Sequence, residues 1–197
     1  MGMAERKRIG EQKDLLLSKL SGREVLCSAQ SLTGPSSFIL PYDPAEVAAA
    51  SEVRDVLISD LAAKGIRAVD ADIYDIALEV LDEEELYDDL VELEPTIDKA
   101  RFTDALKDAV DVEDEIVPRV KARARGADLL FISGVGACFP FVRIHQLLEN
   151  LSAGIPVVTF FPGDYRVNAD GSTTLDILDI PQGQGGGFYR ARNIYDL

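Results

Sequence analysis

The chain has 197 residues, 47% of them hydrophobic, and a chain of this length buries enough surface to fold without disulfides or metal ions. Its 35 acidic and 20 basic residues give a formal net charge of −15, which repels phosphates and disfavours contact with nucleic acid or anionic lipid. No segment approaches the roughly 20 apolar residues that span a bilayer, and no apolar leader opens the chain, so we expect a cytoplasmic protein. Cys27 and Cys138 lie far apart in the sequence, which favours a reducing compartment over a disulfide framework.

The first half of the chain alternates between helical and strand patterns. The predicted elements are a helix at 5–20 within an N-terminal segment 1–22, a strand at 38–40, a helix at 45–65 and a strand at 68–72. Pro41 stops the first of these strands, and Gly65 marks the end of the long helix. This order of strand, helix and strand is typical of a parallel sheet.

The second half continues the alternation. The predicted elements are a helical insert at 73–125, strands at 127–133 and 155–161, a helix at 141–151, an edge strand at 174–180 and a terminal docking segment at 183–197. We expect Pro162 to halt the strand at 155–161. Together the patterns predict one α/β domain over residues 1–197, with three layers, a mostly parallel sheet, helices on both faces and an inserted helical segment.

Two glycines, Gly134 and Gly136, follow the second-half apolar strand and precede a helical pattern, an arrangement that can bind a phosphate. The dinucleotide motif needs a third glycine where Phe139 stands, and the nucleotide-hydrolase motif needs Gly-Lys-Ser/Thr where Cys138, Phe139 and Pro140 stand. We therefore favour a structural turn, with Pro140 in the first turn of the next helix. A small-ligand site remains the alternative, because the loop lies at the carboxyl end of a parallel strand.

The residues that could carry out catalysis are few. His145 is the single histidine, with Arg143 two positions before it, and a lone histidine is more often half-buried than catalytic. One histidine and two distant cysteines do not assemble a transition-metal site. Cys138 could be a reactive thiol at a helix start, but its apolar neighbours favour a small buried side chain. No GxSxG motif is present, and we predict no catalytic residue.

Several predicted strands end next to a carboxylate. Asp43 follows the first strand, Asp70 and Asp72 belong to the second, and Asp164 follows the sequence FFPG. Such carboxylates could together hold Mg²⁺. In a chain with 35 acidic residues we favour the simpler interpretation that they cap helices and turns.

The terminal segment FYRARNIYDL sets aromatic side chains around Arg190 and Arg192. Aromatic and arginine side chains anchor interfaces, so this segment could contact a partner protein. Docking back onto its own chain is the alternative that we favour.

Three stretches near the C-terminus, LLFISGVGACFPFVRIHQLLENL, IPVVTFFPGDY and FYRARNIYDL, resemble the BrxB proteins of bacterial BREX phage-defence systems. In that family a strand ending in (T/S)GVG precedes an FPF-type helix start and an FFPG(E/D)Y strand end; here Asp164 stands where glutamate is commoner. The resemblance implies a small cytoplasmic component of a multi-gene antiviral system, acting beside a phosphatase-like PglZ protein, a methyltransferase and a large ATPase. It implies no established enzyme activity, and it transfers no catalytic residue.

We favour a non-catalytic interaction component that binds PglZ through its C-terminal surface and strand-end loops; a homodimer stays open. The alternative is a nucleotide- or metal-binding domain with weak enzymatic activity, in a crevice between loops 134–140 and 162–166 with Arg143, His145, Asp164 and Arg166 as possible contacts. Direct DNA binding is disfavoured by the charge, and we expect no cofactor. The candidate ligand or partner contacts are Gly134, Gly136, Phe139, Arg143, His145, Gly163, Asp164, Tyr165, Arg190 and Arg192.

Overall fold

A computed structural model describes residues 8–30, 36–167, 173–178 and 191–197. Within these residues the chain forms a six-stranded sheet. The strands are β1 (Ser37–Tyr42), β2 (Ala68–Asp72), β3 (Leu129–Ser133), β4 (Val157–Val167), β5 (Thr173–Ile177) and β6 (Ala191–Asn193). The strand order is β2-β3-β4-β1-β6, with β5 paired to β4 outside that path.

The helices described are α1 (Lys13–Leu20), α2 (Arg23–Leu26), α3 (Val47–Ala63), α4 (Ile73–Glu83), α5 (Tyr87–Leu93), α6 (Lys99–Ala109), α7 (Val117–Arg123), α8 (Val135–Cys138) and α9 (Ile144–Asn150). A π-helical turn at Val112–Ile116 leads into α7. Short 3-10 turns lie at Ile9–Gln12, Ser28–Gln30, Pro44–Glu46, Glu94–Thr96 and Ile194–Asp196.

The central sheet is parallel: β2 pairs with β3, β3 with β4, β4 with β1, and β1 with β6 in the same direction. Every residue of β3 is buried, as expected of a strand that helices cover on both faces. Alternate side chains of each strand point to opposite faces and so join two different hydrophobic clusters. Phe131 of β3 and Phe160 of β4 meet edge to face, with ring centroids 5.3 Å apart.

Helices cover both faces of this sheet. On one face α1 and α3 bury Leu16, Leu20, Leu57 and Leu61 against the sheet, and Ile194 near the C-terminus joins them. On the other face, α4, α7 and α9 form the second cluster together with the π-helical turn. The predicted α/β architecture of three layers around a mostly parallel sheet is therefore confirmed.

The helical insert between β2 and β3 is composed of α4 to α7. Its ends are fixed to each other, because Arg119 and Arg123 of α7 pair with Glu83 and Glu79 of α4, each at 2.5 Å. No residue of α5 or α6 is buried. The middle of the insert thus extends over the outside of the domain.

Strand β4 is longer than the sequence predicts. Pro162 ends only the pairing with β1, where it lies opposite Tyr42, and the chain continues as a strand to Val167. At Gly163 the backbone has φ +147°, a conformation that favours glycine, and a Cβ there would overlap the carbonyl oxygen of Asp176. This turn in the strand allows the second half of β4 to pair antiparallel with β5. The prediction that Pro162 halts the strand is therefore wrong.

Three helix and strand boundaries also differ from the prediction. In the N-terminal helix, a 3-10 turn precedes α1, which starts at Lys13. Residues 139–143 form turns and α9 begins only at Ile144, so Pro140, which follows a cis peptide bond, does not stand in its first turn. The edge strand β5 ends at Ile177 because Leu178 adopts φ +50°.

The described part of the terminal segment, residues 191–197, lies against its own chain. Strand β6 pairs with β1, and Ala191 and Ile194 are buried. The Lys19 ammonium donates to the carbonyls of Tyr195, at 3.2 Å, and Leu197. Residues 183–190, which include Phe188, Tyr189 and Arg190, lie outside the described residues.

Candidate functional site

A crevice lies at the carboxyl edge of the sheet. The loop after β1 leads to α3 on one face, and the loop after β3 leads to α8, whose buried Val135 and Cys138 join the cluster on the other face. Open α/β sheets bind ligands where such neighbouring connections diverge. The crevice has a volume of about 300 Å³, and its walls include Tyr42, Arg54, Asp72, Tyr74 and Ser133.

A polar cluster that joins three elements of the fold lies beside the crevice, and its members Arg54, Asp72 and Ser133 line the crevice. Arg54 of α3 lies 3.1 Å from Asp70 and 3.7 Å from Asp72, both on β2. Its guanidinium donates to the Ser133 hydroxyl on β3 at 2.9 Å, and that hydroxyl donates to Asp70 at 2.8 Å. Alternation along β2 explains the geometry, since residues two apart point to the same face of the sheet. The cluster therefore ties α3 to two strands.

Burial dominates the electrostatics of this cluster. The pKa of Asp70 is raised to about 6, chiefly because burial disfavours its charged form, although the hydrogen bond from Ser133 and the charge of Arg54 act in the opposite direction. Burial also raises the pKa of Tyr42 to about 12, and the negative charge of Asp72 adds to that effect. The Oδ1 atom of Asp70 is buried without a hydrogen-bond partner among the described residues. The Asp70 carboxylate therefore lies in a poorly hydrated environment, which destabilises its ionised form.

Asp70 should make the protein less stable as the pH rises from 4 to 7. Its folded pKa of about 6 exceeds the value of about 3.9 in an unfolded chain, so the folded state binds the proton more tightly between these values. The Asp70→Asn variant lacks this titration. The free energy of unfolding of the wild type, relative to the variant, should therefore fall by about 2 kcal/mol from pH 4 to pH 7.

Urea unfolding of both proteins at pH 4, 5.5 and 7 measures this change. Asp104→Asn, at an exposed position of α6, is the control for the removal of one carboxylate. A difference between wild type and Asp70→Asn that is constant over this pH range would contradict the assignment.

The glycine loop at the mouth of the crevice is built around a carboxylate. Gly134 has φ +74°, and a Cβ on this residue would overlap Asp72 Oδ1 and approach the Tyr74 amide nitrogen to 2.8 Å. The same Asp72 oxygen accepts hydrogen bonds from the amides of Tyr74 and Asp75 and so caps α4. The space beside the Gly134 Cα is therefore filled by a carboxylate, and this negative charge would repel a phosphate bound at the loop.

The structure distributes the predicted contacts over several places. Gly134 and Gly136 line the crevice. Phe139, Arg143 and His145 instead line a separate, small cavity of about 30 Å³ beside α9. Burial lowers the pKa of His145 there.

The remaining predicted contacts lie on the hairpin of β4 and β5 and at the terminal segment. Arg166 lies 3.3 Å from Asp164 and 3.5 Å from Asp176. The Tyr165 hydroxyl donates to the carbonyl of Ala191 at 3.1 Å. Arg192 pairs with Glu24 at 2.8 Å. Of the four side chains predicted around one crevice, Asp164 and Arg166 are thus together, whereas Arg143 and His145 line the small cavity.

The strand-end carboxylates serve local purposes. Asp43 caps the 3-10 turn after β1 by accepting from the Ala45 amide, as the capping interpretation predicts, and Asp72 caps α4. Asp70 instead forms the ion pair described above. Over the described residues, no group of three His, Cys, Asp or Glu side chains is placed to hold a metal ion. Cys138 is fully buried and its thiol pKa is raised by burial.

Sequence reasoning missed Tyr42, Arg54, Tyr74 and Ser133. Arg54 could have been identified from the sequence. It stands next to Val53, and Val53 belongs to the apolar residues of α3 that are spaced to face the sheet. A buried arginine is typically paired with a carboxylate, and the Asp-x-Asp pattern of β2 supplies one. Tyr42, the last residue of β1, could not have been identified in this way.

A family model for the BREX protein BrxB matches residues 69–194, well over half of the chain. The chain belongs to the BrxB family. A BrxB protein from Bacillus cereus (strain H3081.97), described as a BREX protein, is 26% identical over 200 residues, covering 96% of this chain and 99% of that relative. The predicted family is therefore confirmed, and the similarity extends far beyond the C-terminal third that first indicated it. No solved structure matches this chain.

The comparisons thus connect the chain with BREX phage defence and with the other components of such a system. Among the described helices, none is both long enough and apolar enough to cross a membrane.

Proposed function

We propose that this chain is a non-catalytic interaction component of a BREX antiviral system and that it binds the PglZ-like protein of that system through its helical insert. The insert replaces the C-terminal surface in this proposal, because the described residues 191–197 pack against their own chain. Membership of the BrxB family supports the general role. The observation that carries the specific proposal is the combination of dense negative charge and exposed apolar side chains on α5 and the segments beside it.

The negative charge of the protein is concentrated in the insert. Residues 82–115 contain 15 acidic and three basic residues, a net charge of −12 out of −15 for the whole chain. Like charges at this density repel one another and destabilise the folded state. A partner with a basic face would relieve the repulsion and would be steered toward this surface.

The insert also exposes large apolar side chains of the kind that protein–protein interfaces bury. Tyr87 is 50% exposed and Val91 is 55% exposed, and their spacing of four residues places them on one face of α5. An adjacent side of the helix is held to the domain by Leu86 and Leu90, which pack against the hydrophobic core. An aromatic and an aliphatic anchor surrounded by charged residues match the anatomy of a protein interface, with an apolar centre and a polar rim.

The test is co-expression with the PglZ-like protein of the same system, followed by size-exclusion chromatography at micromolar concentration. We expect the two proteins to elute together. The double variant Tyr87→Lys/Val91→Lys should weaken the complex at least tenfold, because it removes both apolar anchors and neutralises part of the acidic surface. Raising the salt concentration should also slow association, because the steering charges are exposed.

The matched control is Leu15→Lys. Leu15 is a 47% exposed apolar residue on α1, which covers the opposite face of the sheet. This variant should bind like the wild type. Separate elution of the wild-type proteins would contradict the proposed function, and equal weakening by Leu15→Lys would contradict the location of the interface.

A further inference from the structure

The crevice at the carboxyl edge is a second feature that the proposed docking function does not use. It is lined by residues of α3, by strand ends and by the glycine loop, whereas the proposed docking face is the outer side of α5. Its volume of about 300 Å³ is at the lower end of the range for sites that take small organic ligands.

The charge around the crevice selects against anions. Arg54 and Asp72 are the charged side chains among the described residues that line it, and two further carboxylates, Asp55 and Asp70, lie against the Arg54 guanidinium without lining the crevice. Asp55 lies at 2.9 Å, Asp70 at 3.1 Å and Asp72 at 3.7 Å from the guanidinium. With these groups ionised the cluster carries a net charge of −2, and a phosphate or carboxylate ligand would meet repulsion. A cationic ligand would be attracted.

The walls of the crevice are apolar and partly aromatic. Tyr42, Tyr74 and Phe160 bring three aromatic rings to it, and aromatic faces attract organic cations. At the rim, Val47 is 56% exposed and Leu178 is 38% exposed. Leu178 is held there with φ +50°, which is an unusual conformation for a leucine. Exposed apolar side chains around a concave site are typical of a surface that buries an apolar ligand.

We propose that this crevice binds a small organic cation, namely an amine or guanidinium group on an apolar body. The cationic group lies against Asp72 and the hydroxyl of Tyr42, and the body packs between the aromatic walls and the rim formed by Val47 and Leu178. The Arg54 guanidinium lies 3.7 Å from Asp72 but 3.1 Å from Asp70, so it interacts more weakly with Asp72. Asp72 therefore keeps capacity to accept a further hydrogen bond from a ligand.

Three probes of similar shape test the charge preference on the isolated protein. Phenethylamine is cationic at pH 7.5, 2-phenylethanol is neutral and 3-phenylpropionate is anionic. Titration calorimetry or the shift of amide resonances gives each dissociation constant. We expect phenethylamine to bind at least tenfold more tightly than the alcohol and the anion to bind most weakly.

Asp72→Asn tests the position of the cation. Asparagine caps helices about as well as aspartate, so the start of α4 is preserved while the charge is lost. Binding of phenethylamine should fall about tenfold, and binding of 2-phenylethanol should change little. The matched control is Asp98→Asn on α6, because Asp98 caps its helix in the same way, through the amides of Ala100 and Arg101.

A second variant leaves the ion pairs intact. Ser51→Leu adds volume at an exposed residue that lines the crevice and should weaken all the probes together. Equal affinity for amine and anion, or unchanged amine binding in both Asp72→Asn and Ser51→Leu, would overturn the proposal.

A third arm separates a free ligand from an arginine or lysine side chain of a partner. If the cation is a small molecule, saturating phenethylamine leaves complex formation with the PglZ-like protein unchanged. If the amine displaces that protein, the assignment to a small molecule is overturned. Because the probe titrations use the protein alone, failure of the docking proposal does not affect their outcome.

Discussion

Gly134→Ala should lower the free energy of unfolding by about 3 kcal/mol, whereas Gly65→Ala should lower it by only about 1 kcal/mol. The two glycines have nearly the same backbone conformation, with φ +74° and φ +77°. A left-handed conformation costs any L-residue roughly 1 kcal/mol, so both variants lose this amount. The two positions differ in the room for a side chain. Nothing lies within 4 Å of a Cβ at Gly65, whereas a Cβ at Gly134 overlaps the Asp72 carboxylate.

The additional loss of stability in Gly134→Ala arises because Asp72 must move and lose its contacts. Its carboxylate can move away only by abandoning the cap of α4 and its contacts with Ser133 and Arg54. Loss of a cap alone costs about 1 kcal/mol. Urea unfolding of the three proteins at pH 7.5 measures both effects, and a difference of about 2 kcal/mol between the variants isolates the clash. Equal destabilisation of the two variants would show that the loop relaxes and that Asp72 does not require glycine at this position.

The architecture could be predicted because it follows from local patterns. The apolar run at residues 129–132 of β3 and the helical spacing of Val53, Leu57 and Leu61 each indicate an element and its buried face without knowledge of the rest of the chain. The path of β4 beyond Pro162 could not be predicted in this way. It depends on a partner strand about ten residues later and on a close approach between Gly163 and the backbone of Asp176, both of which are non-local.

The crevice could be predicted only in part, for the same reason. The glycine loop and the two aspartates of β2 can be recognised in the sequence. That they lie side by side follows from the parallel pairing of β2 with β3, in which Asp72 lies opposite Ser133. Arg54 reaches the two aspartates from α3, the helix that precedes β2, and also reaches Ser133 on a strand much later in the sequence. The distribution of Arg143 and His145 to a separate cavity depends on residues 139–143, which form turns although the helix was predicted to begin at residue 141. Local sequence does not encode how such a turn directs the following helix.

Arg54→Met should destabilise the protein by about 3 kcal/mol at pH 7.5, because it leaves two carboxylates close together and poorly hydrated without a counter-charge. The side chains of Arg54 and Asp70 are each only 17% exposed, so solvent does not compensate for the loss. Methionine keeps most of the apolar volume of the arginine stem, and the measured change therefore reports mainly on the charge. Arg101→Met is the control: Arg101 pairs with Asp98 on an exposed surface, where the exposures are 79% and 63%, and its loss should change stability by less than about 0.5 kcal/mol.

The origin of the loss can be tested by removing the stranded charge as well. Asp70→Asn in the Arg54→Met background should restore part of the stability, because a neutral amide is cheaper to bury than an unpaired carboxylate. The deficit of Arg54→Met should also shrink at pH 5, since Asp70, whose pKa is already raised by burial, then takes up a proton. A double variant less stable than Arg54→Met, together with a deficit that does not change with pH, would mean that Arg54 stabilises the fold through packing of its stem and not by neutralising the carboxylates of β2.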